Sequence, residues 1–490
     1  MNQNQFLVQL KNIKNPKQLA NFVLDPSPRK IEFLISHPSL RKVIIKISEK
    51  IINRSLPKDK RLPKQVQIDK FSASKALIRS VNRLLDRTQN HPQYKDALIH
   101  SFLPCFLQSI KESSEKHQVF SKKYGFNPPW FLTISPTRFC NLKCTGCYAN
   151  SSIANREKLS FETVDKIVSE KTDLWGSFFC VISGGEPFLW KDKGKTIIDL
   201  AKKHQDNLFL VYTNGTLINK ETARKLAKVG NITPAISVEG FEKETDERRG
   251  KGTFKKIHQA MDNLNEFGVP FGISVTPTRK NCLLLTSEEF IKYFWTKGAL
   301  YAWMFQLMPI GRASFDLVIT PEQRKEMFYR TRDLIKKGYF VADFWNCGAL
   351  TEGCISAGRK GGYLYIDWNG NISPCVFNPY AVANINEIYQ KGGQLTDVLT
   401  KPFLERIRKW QDDYAAKQGN WTLPCPIRDH YKEMRKFIDK YEPQPIDEPA
   451  KQALEDKEYR RKMINYDKNL AEVMDPIWEK EYKKSKKAKA

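Results

Sequence analysis

The sequence predicts an α/β protein in which six strand–helix units form a parallel sheet, either open or curled into an incomplete barrel. From Trp130 onwards, short apolar runs such as FFCVISGG and LFLVYTNGT alternate with amphipathic stretches such as SFETVDKIVSEKTDLW. Strands and helices that alternate at this pitch form parallel sheets covered by helices. Because the strands of such a sheet all point the same way, the loops after their C-terminal ends should form the working face.

The first 125 residues predict a basic helical domain with almost no strand signal. Apolar and basic positions recur at helical spacing, as in RKVIIKISEKIINRSL. Residues 1–125 together contain 24 Lys and Arg against 9 Asp and Glu. A field of this sign attracts RNA or an anionic membrane surface, but an ordinary solvated surface has the same composition. A helix packed on its own domain shows the same stripe as a helix lying on a membrane, and packing is the favoured interpretation.

Four regions follow from these patterns: a basic helical domain (1–125), a core (126–340), a cysteine-bearing region of hairpins and loops (341–435), and a charged helical tail (436–490) expected to be peripheral. The sequence shows no run of eighteen apolar residues and no secretory signal. We therefore expect a cytoplasmic protein, with a peripheral position at the membrane face as the alternative. In that compartment the ten cysteines should serve metal binding or catalysis rather than disulfides.

Three of the cysteines, Cys140, Cys144 and Cys147, lie in FCNLKCTGCYAN with the spacing C-x3-C-x2-C. A structural zinc site needs four ligands, usually as two separated pairs. A redox C-x2-C pair would leave Cys140 unexplained. Three thiolates on one short loop suit a [4Fe-4S] cluster whose fourth iron takes a non-protein ligand, with zinc as the alternative.

This loop, placed after the first strand of a six-unit repeat, resembles the cofactor loop of the radical S-adenosylmethionine (radical SAM) superfamily. The resemblance covers Trp130 to His430 and implies a partial (β/α)6 barrel of the radical SAM type. It also implies that the open iron binds S-adenosylmethionine, that reductive cleavage gives a 5′-deoxyadenosyl radical, and that this radical takes a hydrogen atom from a substrate. An electron donor such as flavodoxin or ferredoxin is then an expected partner.

Motifs after the later strands are similar to those of the same family. In SGGEP the glycines would let the backbone approach a ligand, and the carboxylate would help to hold the methionine amino group. TNG and SVEG follow the third and fourth strands, and an arginine of ERRGKGTF would pair with the cofactor carboxylate. Gly146 departs from the pattern, because many relatives have an aromatic residue there. The cofactor-binding residues that the resemblance implies are Gly184, Gly185, Glu186, Thr213, Asn214 and Ser237, with Arg248 and Arg249 as two candidates between which the sequence does not choose.

A second group of cysteines is similar to the start of a SPASM or twitch extension, which binds auxiliary iron–sulfur clusters. Cys354 is followed by fifteen residues, Gly370, four residues and Cys375, and YLYIDWNGNISPC predicts a hairpin that turns at Asn369-Gly370. The resemblance implies one auxiliary cluster, because the dense middle group of a full SPASM region is missing. Zinc is the alternative metal. The implied ligands are Cys354, Cys375, Cys425 and, less directly, Cys347, whereas Cys105, Cys180 and Cys282 are interpreted as structural thiols.

The resulting hypothesis is a radical SAM enzyme that abstracts hydrogen from a substrate, with a peptide or protein as the first expectation. The alternatives are a membrane-surface enzyme that acts on a lipid or isoprenoid, an RNA-modifying enzyme, and a zinc-stabilised RNA-binding protein without enzymatic activity. No acid or base is identified. Asp343, Asp367 and Asp429 lie near the auxiliary cysteines in sequence and are not distinguishable from structural carboxylates.

Overall fold

The structure is a computed structural model that describes residues 28–55, 61–89, 95–111, 113–359, 361–417 and 419–483, together with positions 8, 12, 13 and 18. The rest of the chain, including parts of the predicted basic helical domain and the lysine-rich C-terminal end, lies outside the described residues. Within these ranges, no helix combines the length and the apolar character that a membrane crossing requires.

A ten-stranded sheet forms the core and confirms the α/β prediction. Its spatial order is β10-β9-β8-β1-β2-β3-β4-β5-β6-β7, and all neighbours from β8 to β7 are parallel. The two ends of the sheet are not hydrogen-bonded to each other, so the sheet is an open, partial barrel. Numbered along the chain, the strands are β1 (Phe131–Ile134), β2 (Phe179–Ile182), β3 (Leu208–Thr213), β4 (Ile232–Val238), β5 (Gly272–Val275), β6 (Ala302–Met304), β7 (Val341–Asp343), β8 (Tyr363–Ile366), β9 (Asn371–Ser373) and β10 (Ala383–Asn384).

The six helices predicted between successive strands are all present. Their starts follow from capping chemistry: the side-chain oxygen of Ser160 accepts a hydrogen bond from the backbone N–H of Thr163, and Thr320 and Gln323 form a reciprocal capping box. Short additional elements are the strand pairs Lys191–Asp192 with Lys195–Thr196 and Tyr380–Ala381 with Gln444–Pro445, the helix Cys282–Leu285, and the 3-10 turns Pro187–Leu189 and Phe315–Leu317. The six helices are Phe161–Trp175, Ile197–Lys203, Lys220–Val229, Thr253–Glu266, Glu288–Thr296 and Pro321–Lys337.

Helix Glu242–Arg249 was not predicted from the sequence. Its residues EKETDERR are polar on every side, so no apolar stripe marks it as a helix. It follows β4 directly and carries both candidate arginines.

The predicted hairpin is confirmed, because β8 and β9 are antiparallel on either side of Asn369 and Gly370. Gly370 has φ 87°, the left-handed region that glycine adopts without strain. The Asp367 carboxylate fixes the turn by accepting hydrogen bonds from the backbone N–H groups of Asn369 and Asn371, at 2.8 and 2.9 Å. Because β8 also pairs in parallel with β1, the cysteine-bearing region continues the sheet of the core.

The described N-terminal helices pack against the end of the barrel where the strands begin. Arg83 and Arg87 donate hydrogen bonds to the carbonyls of Trp295 (2.8 Å) and Gly298 (2.7 Å), just before β6, and the Cys105 thiol donates to the carbonyl of Gln205 (2.8 Å), just before β3. This agrees with the packing interpretation of their apolar stripes. The helices are Pro28–Ser36, Pro38–Ser55, Lys64–Gln89, Lys95–Ala97, Leu103–Lys111 and Ser113–Tyr124, with a π-helical turn at Leu98–Phe102.

The C-terminal tail is helical, but the prediction that it is peripheral is wrong. Tyr466, Leu470 and Met474 recur every four residues in helix Lys457–Ile477 and are buried together with Val66 and Trp421. The charged residues occupy the other faces of this helix, which is why composition alone suggested a peripheral tail. The remaining elements of this half are Gly348–Thr351, Ile385–Gln390, the 3-10 helix Leu395–Thr400, Pro402–Ala416, Tyr431–Tyr441, Glu448–Glu455 and the π-helical turn Trp478–Lys483.

Candidate active site

A single cavity of about 420 Å³ lies at the C-terminal ends of the strands and extends into the barrel. Both predicted cysteine sets line it, one from the loop after β1 and the other from the segments around the β8–β9 hairpin. The sequence placed the two sets on separate regions, and the fold brings them to one cavity. The cavity-lining cysteines are Cys140, Cys144, Cys147, Cys347, Cys354, Cys375 and Cys425.

The SGGEP loop after β2 is fastened to the backbone that leads into the cysteine loop. The N–H of Gly185 donates to the carbonyl of Thr137 (2.8 Å) and the N–H of Glu186 donates to the carbonyl of Phe139 (2.9 Å). A Cβ on Gly185 would lie 2.2 Å from the Phe139 carbonyl oxygen. Gly184 and Gly185 line the cavity, and the close approach to the Phe139 backbone requires glycine at position 185. The predicted approach of these glycines to a ligand remains a prediction.

Glu186 connects the loops after β2 and β3. Its buried carboxylate accepts hydrogen bonds from the Thr213 hydroxyl (2.7 Å) and from the backbone N–H of Asn214 (2.8 Å). Burial raises the pKa of this carboxyl to about 7. Glu186 is not among the residues that line the cavity, so its observed contacts hold the TNG loop in place, and the predicted contact with a cofactor remains a prediction.

Thr213 and Asn214 line the cavity that the first cysteine, Cys140, also lines, and their predicted contact with a cofactor remains a prediction. The side-chain amide of Asn214 donates to the side-chain oxygen of Asn141 (2.8 Å) and lies 3.9 Å from Cys140 Sγ. Burial raises the pKa of the Cys140 thiol to about 12.

Arg248 and Arg249 share one buried carboxylate, that of Glu239, which follows β4. Arg248 also donates to the carbonyl of Thr145 (3.1 Å), and Arg249 places a guanidinium nitrogen 4.0 Å from Cys144 Sγ. Both arginines line the cavity, so the structure brings together the two candidates between which the sequence could not choose.

Ser237 also lines the cavity and lies near the end of β4. Its hydroxyl is 3.1 Å from the hydroxyl of Ser274 on β5. The two hydroxyls form a small polar patch on two neighbouring strands.

Arg312 was missed by the sequence reasoning, although it also holds the cysteine loop. It donates through two nitrogens to the carbonyl of Cys144 (3.3 and 3.2 Å) and through a third to the side-chain oxygen of Asn150 (2.9 Å). A Cβ on the preceding Gly311 would lie 2.3 Å from the Tyr148 carbonyl oxygen. The glycine before an arginine in MPIGRA was the available signal, because such a glycine permits this close approach.

Gly146, the position that departs from the family pattern, has φ 68°. A Cβ there would lie 2.9 Å from Leu307 Cδ1. The local backbone and Leu307 therefore explain why this chain has no aromatic side chain at this position.

Three of the auxiliary cysteines lie close together. Burial raises the pKa values of the thiols of Cys354, Cys375 (to about 12) and Cys425, and the charges of Cys354 and Cys375 raise that of Cys425 further. Burial and the charge of Asp343 also raise the pKa of Cys347 to about 12, but its thiol donates to the Asp343 carbonyl (2.6 Å). The structure thus separates Cys347 from the other three by its contacts.

The surroundings of the auxiliary cysteines fit an iron–sulfur cluster. Trp345 Nε1 and the Tyr363 hydroxyl are buried, line the cavity and lack a well-formed hydrogen bond. Tyr363 lowers the pKa of Cys375, and Trp345 lowers that of Cys425, so each donor faces a sulfur. Sulfur atoms of a cluster accept such hydrogen bonds. Within the described ranges, no three His, Cys, Asp or Glu side chains are spaced to hold a single metal ion, and the ligand assignments remain predictions.

The three aspartates near the auxiliary cysteines have structural partners. Asp343 accepts from the side chain of Gln306 (2.9 and 3.0 Å), and Asp429 forms a fully buried ion pair with Arg324 (3.0 Å). Asp367 holds the hairpin turn, and burial raises its pKa to about 6. None of the three lines the cavity, so none is positioned there as an acid or base.

Comparison with known proteins agrees with this geometry. A family model of the radical SAM superfamily matches residues 134–280, the segment from the end of β1 to beyond β5. The mycofactocin maturase MftC of Mycobacterium ulcerans is 32% identical over 290 residues, which are 56% of this chain and 74% of that protein. A cysteine-type anaerobic sulfatase-maturating enzyme of Clostridium novyi is 26% identical over 322 residues, 58% of this chain and 83% of that enzyme.

Among solved structures, Streptococcus suis SuiB bound to precursor peptide SuiA has a TM-score of 0.49 and 21% identity, covering 60% of this chain and 70% of that one. For three further curated relatives, the match spans 65%, 36% and 52% of their own lengths, less than two thirds of each. The family match over the cysteine loop and the relative with 32% identity over 74% of its length show that this chain belongs to the radical SAM superfamily.

Proposed function

We propose that this protein is a radical SAM maturase that abstracts a hydrogen atom from a peptide or protein substrate. The observation that carries the proposal is that both cysteine sets line one cavity, so a substrate held there would lie between them. When bound, the [4Fe-4S] cluster and S-adenosylmethionine supply the 5′-deoxyadenosyl radical, and an auxiliary cluster supplies a second metal centre.

The residues of this chain would hold and orient these cofactors. Cys140, Cys144 and Cys147 are the proposed ligands of the first cluster. Arg248 and Arg249 carry the positive charge that would receive the cofactor carboxylate. Backbone and side-chain groups at the C-terminal ends of β2, β3 and β4 and in the loops after β2 and β3 would receive the rest of S-adenosylmethionine; they belong to Gly184, Gly185, Thr213, Asn214 and Ser237.

Relatives support the peptide or protein substrate. The names of the sulfatase-maturating enzyme of Clostridium novyi and of the sporulation killing factor maturation protein SkfB of Bacillus subtilis both describe maturation of another protein or factor. Membership of the superfamily favours an enzyme over the zinc-stabilised RNA-binding protein, which would have no use for the GGEP and SVEG loops.

A second candidate is an enzyme that acts on a hydrocarbon tail of a lipid or isoprenoid. The observation that favours it is the aromatic and aliphatic lining of the cavity, including Phe131, Phe179, Val181, Leu210 and Trp303. Unactivated C–H bonds of such a tail would also need a radical for hydrogen abstraction.

Anaerobic reconstitution tests the proposed function. We expect about eight iron and eight sulfide per chain, corresponding to two four-iron clusters, and formation of 5′-deoxyadenosine from S-adenosylmethionine under dithionite. Cys144→Ala should abolish this cleavage, whereas Cys375→Ala should lose about four iron and keep cleavage in the absence of substrate. Cys282→Ala changes a buried cysteine outside the cavity and is the matched control.

Zinc at both cysteine sets with no 5′-deoxyadenosine would refute the radical function. Full iron content in the Cys375→Ala protein would refute the assignment of the auxiliary ligands while leaving the first cluster intact.

A further inference from the structure

We propose that the reacting part of the substrate is an apolar amino-acid side chain, and that the adjoining backbone N–H groups are received by Gln306 Oε1 and Asn378 Oδ1. This inference rests on the proposed function and narrows its substrate class. It excludes charged side chains and a bare hydrocarbon tail.

The charges of the cavity wall argue against a charged substrate group. Among the described residues that line the cavity, only Arg248, Arg249 and Arg312 are charged. The first two pair with Glu239, and the third is bonded to the Cys144 carbonyl and to Asn150. All three arginines lie against the cysteine loop, where the proposed cluster and the cofactor carboxylate would take up their charge, so a carboxylate or ammonium group elsewhere in the cavity would lose its hydration without gaining a free counter-charge.

Aromatic side chains cover the wall between the two cysteine sets. The ring of Phe305, directly after β6, lies 5.3 Å from that of Tyr212 and 5.5 Å from that of Phe344, which directly follows β7. Phe377 completes the group, with its ring 5.8 Å from that of Phe344. Burial of an aliphatic or aromatic side chain against such a surface is energetically favourable.

Gln306 carries a buried, unpaired acceptor in the wall of the same cavity. Its side chain is fully buried, lines the cavity, and has no hydrogen-bond partner at Oε1. Its Nε2 donates to both oxygens of Asp343, at 3.0 and 2.9 Å. Since a carboxylate only accepts hydrogen bonds, this pairing fixes which end of the amide is nitrogen and leaves the oxygen for a donor from the substrate.

Asn378 supplies a second acceptor of the same kind. It is 2% exposed, lines the cavity beside Cys375 and Phe377, and has no partner at Oδ1. Its backbone N–H is already bonded to the Cys375 carbonyl, at 3.1 Å, so the residue is fixed next to the auxiliary cysteines.

These two acceptors separate a peptide from a hydrocarbon. A hydrocarbon chain in the cavity offers no donor, so both oxygens would stay buried without a partner, a state that costs free energy for each. A peptide presents an amide N–H on either side of its apolar side chain and satisfies them. The two acceptor oxygens therefore give no advantage to an apolar group that has no adjoining N–H donors.

Binding of three probe ligands to the reconstituted holoenzyme with S-adenosylmethionine tests the inference, with ligand-detected NMR as the readout. The probes are N-acetyl-leucine N-methylamide, the corresponding aspartate diamide, and the ester analogue in which oxygen replaces the leucine N–H. We expect the leucine diamide to bind at least tenfold more tightly than the aspartate diamide and about tenfold more tightly than the ester, the factor for one buried hydrogen bond.

Asn378→Ala and Gln306→Met should each weaken binding of the leucine diamide and reduce its advantage over the ester. The Oδ1 atom of Asn378 has no partner to lose, so Asn378→Ala is expected to fold normally. If Gln306→Met does not fold, the binding measured with Asn378→Ala tests the inference. Equal binding of the leucine diamide and the ester to the unmodified protein, or equal binding of the aspartate diamide, would overturn the inference. Because binding is measured without reductant, this outcome is distinguishable from a failure to cleave S-adenosylmethionine.

Discussion

Two buried glutamates hold the loops of the site together, although neither is a predicted ligand of a cluster. Glu239 accepts from both Arg248 and Arg249, and so places two guanidinium groups beside the cysteine loop. Glu186 joins the loops after β2 and β3 through the hydroxyl of Thr213 and the backbone N–H of Asn214. Both carboxylates follow the C-terminal end of a strand, where several loops must be held relative to one another.

The pH dependence of stability should report on Glu186. Its pKa is raised from 4.5 to about 7 by burial. Below about pH 4.5 the carboxyl is protonated in both the folded and the unfolded states. Between about pH 4.5 and 7 only the unfolded state loses this proton, so the free energy of unfolding falls as the pH rises. The full effect is on the order of 3 kcal/mol, and it is reached above about pH 7.

Glu186→Gln should remove this contribution. In urea unfolding at pH 5 and pH 7, the wild type should lose more stability between the two pH values than the variant does. Equal losses in both proteins would show that Glu186 does not carry the raised pKa. The same comparison for Glu247→Gln, an exposed member of an ion pair with Lys280, should show no such difference.

At the scale of elements, the sequence predicts six core strands and six helices because short apolar runs alternate with stretches whose apolar positions recur at helical spacing. Ser160 and Thr320, at helix N-caps, also carry recognisable local signals. Helix Glu242–Arg249 has no apolar stripe and was missed. The role of Arg312 was missed for a different reason: its contacts depend on the loop after β6 folding back onto the cysteine loop, and no local pattern encodes a tertiary contact of this kind.

The β8–β9 hairpin gives an element-scale prediction, because its turn positions Cys375. At Gly370, with φ 87°, a Cβ would lie 2.6 Å from Asn386 Nδ2. Gly370→Ala should therefore lower the free energy of unfolding by about 2 kcal/mol, combining backbone strain with a steric conflict.

Gly392→Ala is the matched control, because Gly392 has φ 73° but no atom within 4 Å of a Cβ. It should lose only the strain contribution of about 1 kcal/mol. Denaturant titration measures both, and a loss at Gly392 as large as that at Gly370 would contradict the steric argument.

At the scale of the whole molecule, the basic N-terminal helices pack against the barrel and also form part of its surface. Helix Lys64–Gln89 contacts the segments before β6 through Arg83 and Arg87, and Ala73 of the same helix lines the cavity. Lys70 of this helix pairs with Glu352, between β7 and β8, where the open side of the partial barrel lies. Some of the basic residues that the composition suggested for binding a polyanion therefore form contacts within the protein itself.

Arg87→Ala tests this use of charge. Arg87 donates to the Gly298 carbonyl (2.7 Å) and to the side chain of Asn265, and burial lowers its pKa to about 10. Removing these contacts should lower the free energy of unfolding by about 2 kcal/mol, as expected for hydrogen bonds from a charged group.

Lys122→Ala, at an exposed position of helix Ser113–Tyr124, should change the free energy of unfolding by less than about 0.5 kcal/mol. Thermal or urea unfolding separates the two variants. If the Arg87→Ala protein is as stable as the Lys122→Ala protein, the contacts of Arg87 do not contribute to stability and the prediction is wrong.

The unequal number of charges around the cysteine loop has a consequence for electron delivery. Arg248, Arg249 and Arg312 contribute three positive charges, and Glu239 returns only one negative charge. A reduced iron–sulfur cluster is more negative than an oxidised one, so surplus positive charge nearby favours the reduced form and raises the midpoint potential. These arginines would then ease the first electron transfer from a weakly reducing donor, in addition to the role proposed for Arg248 and Arg249 in holding the cofactor.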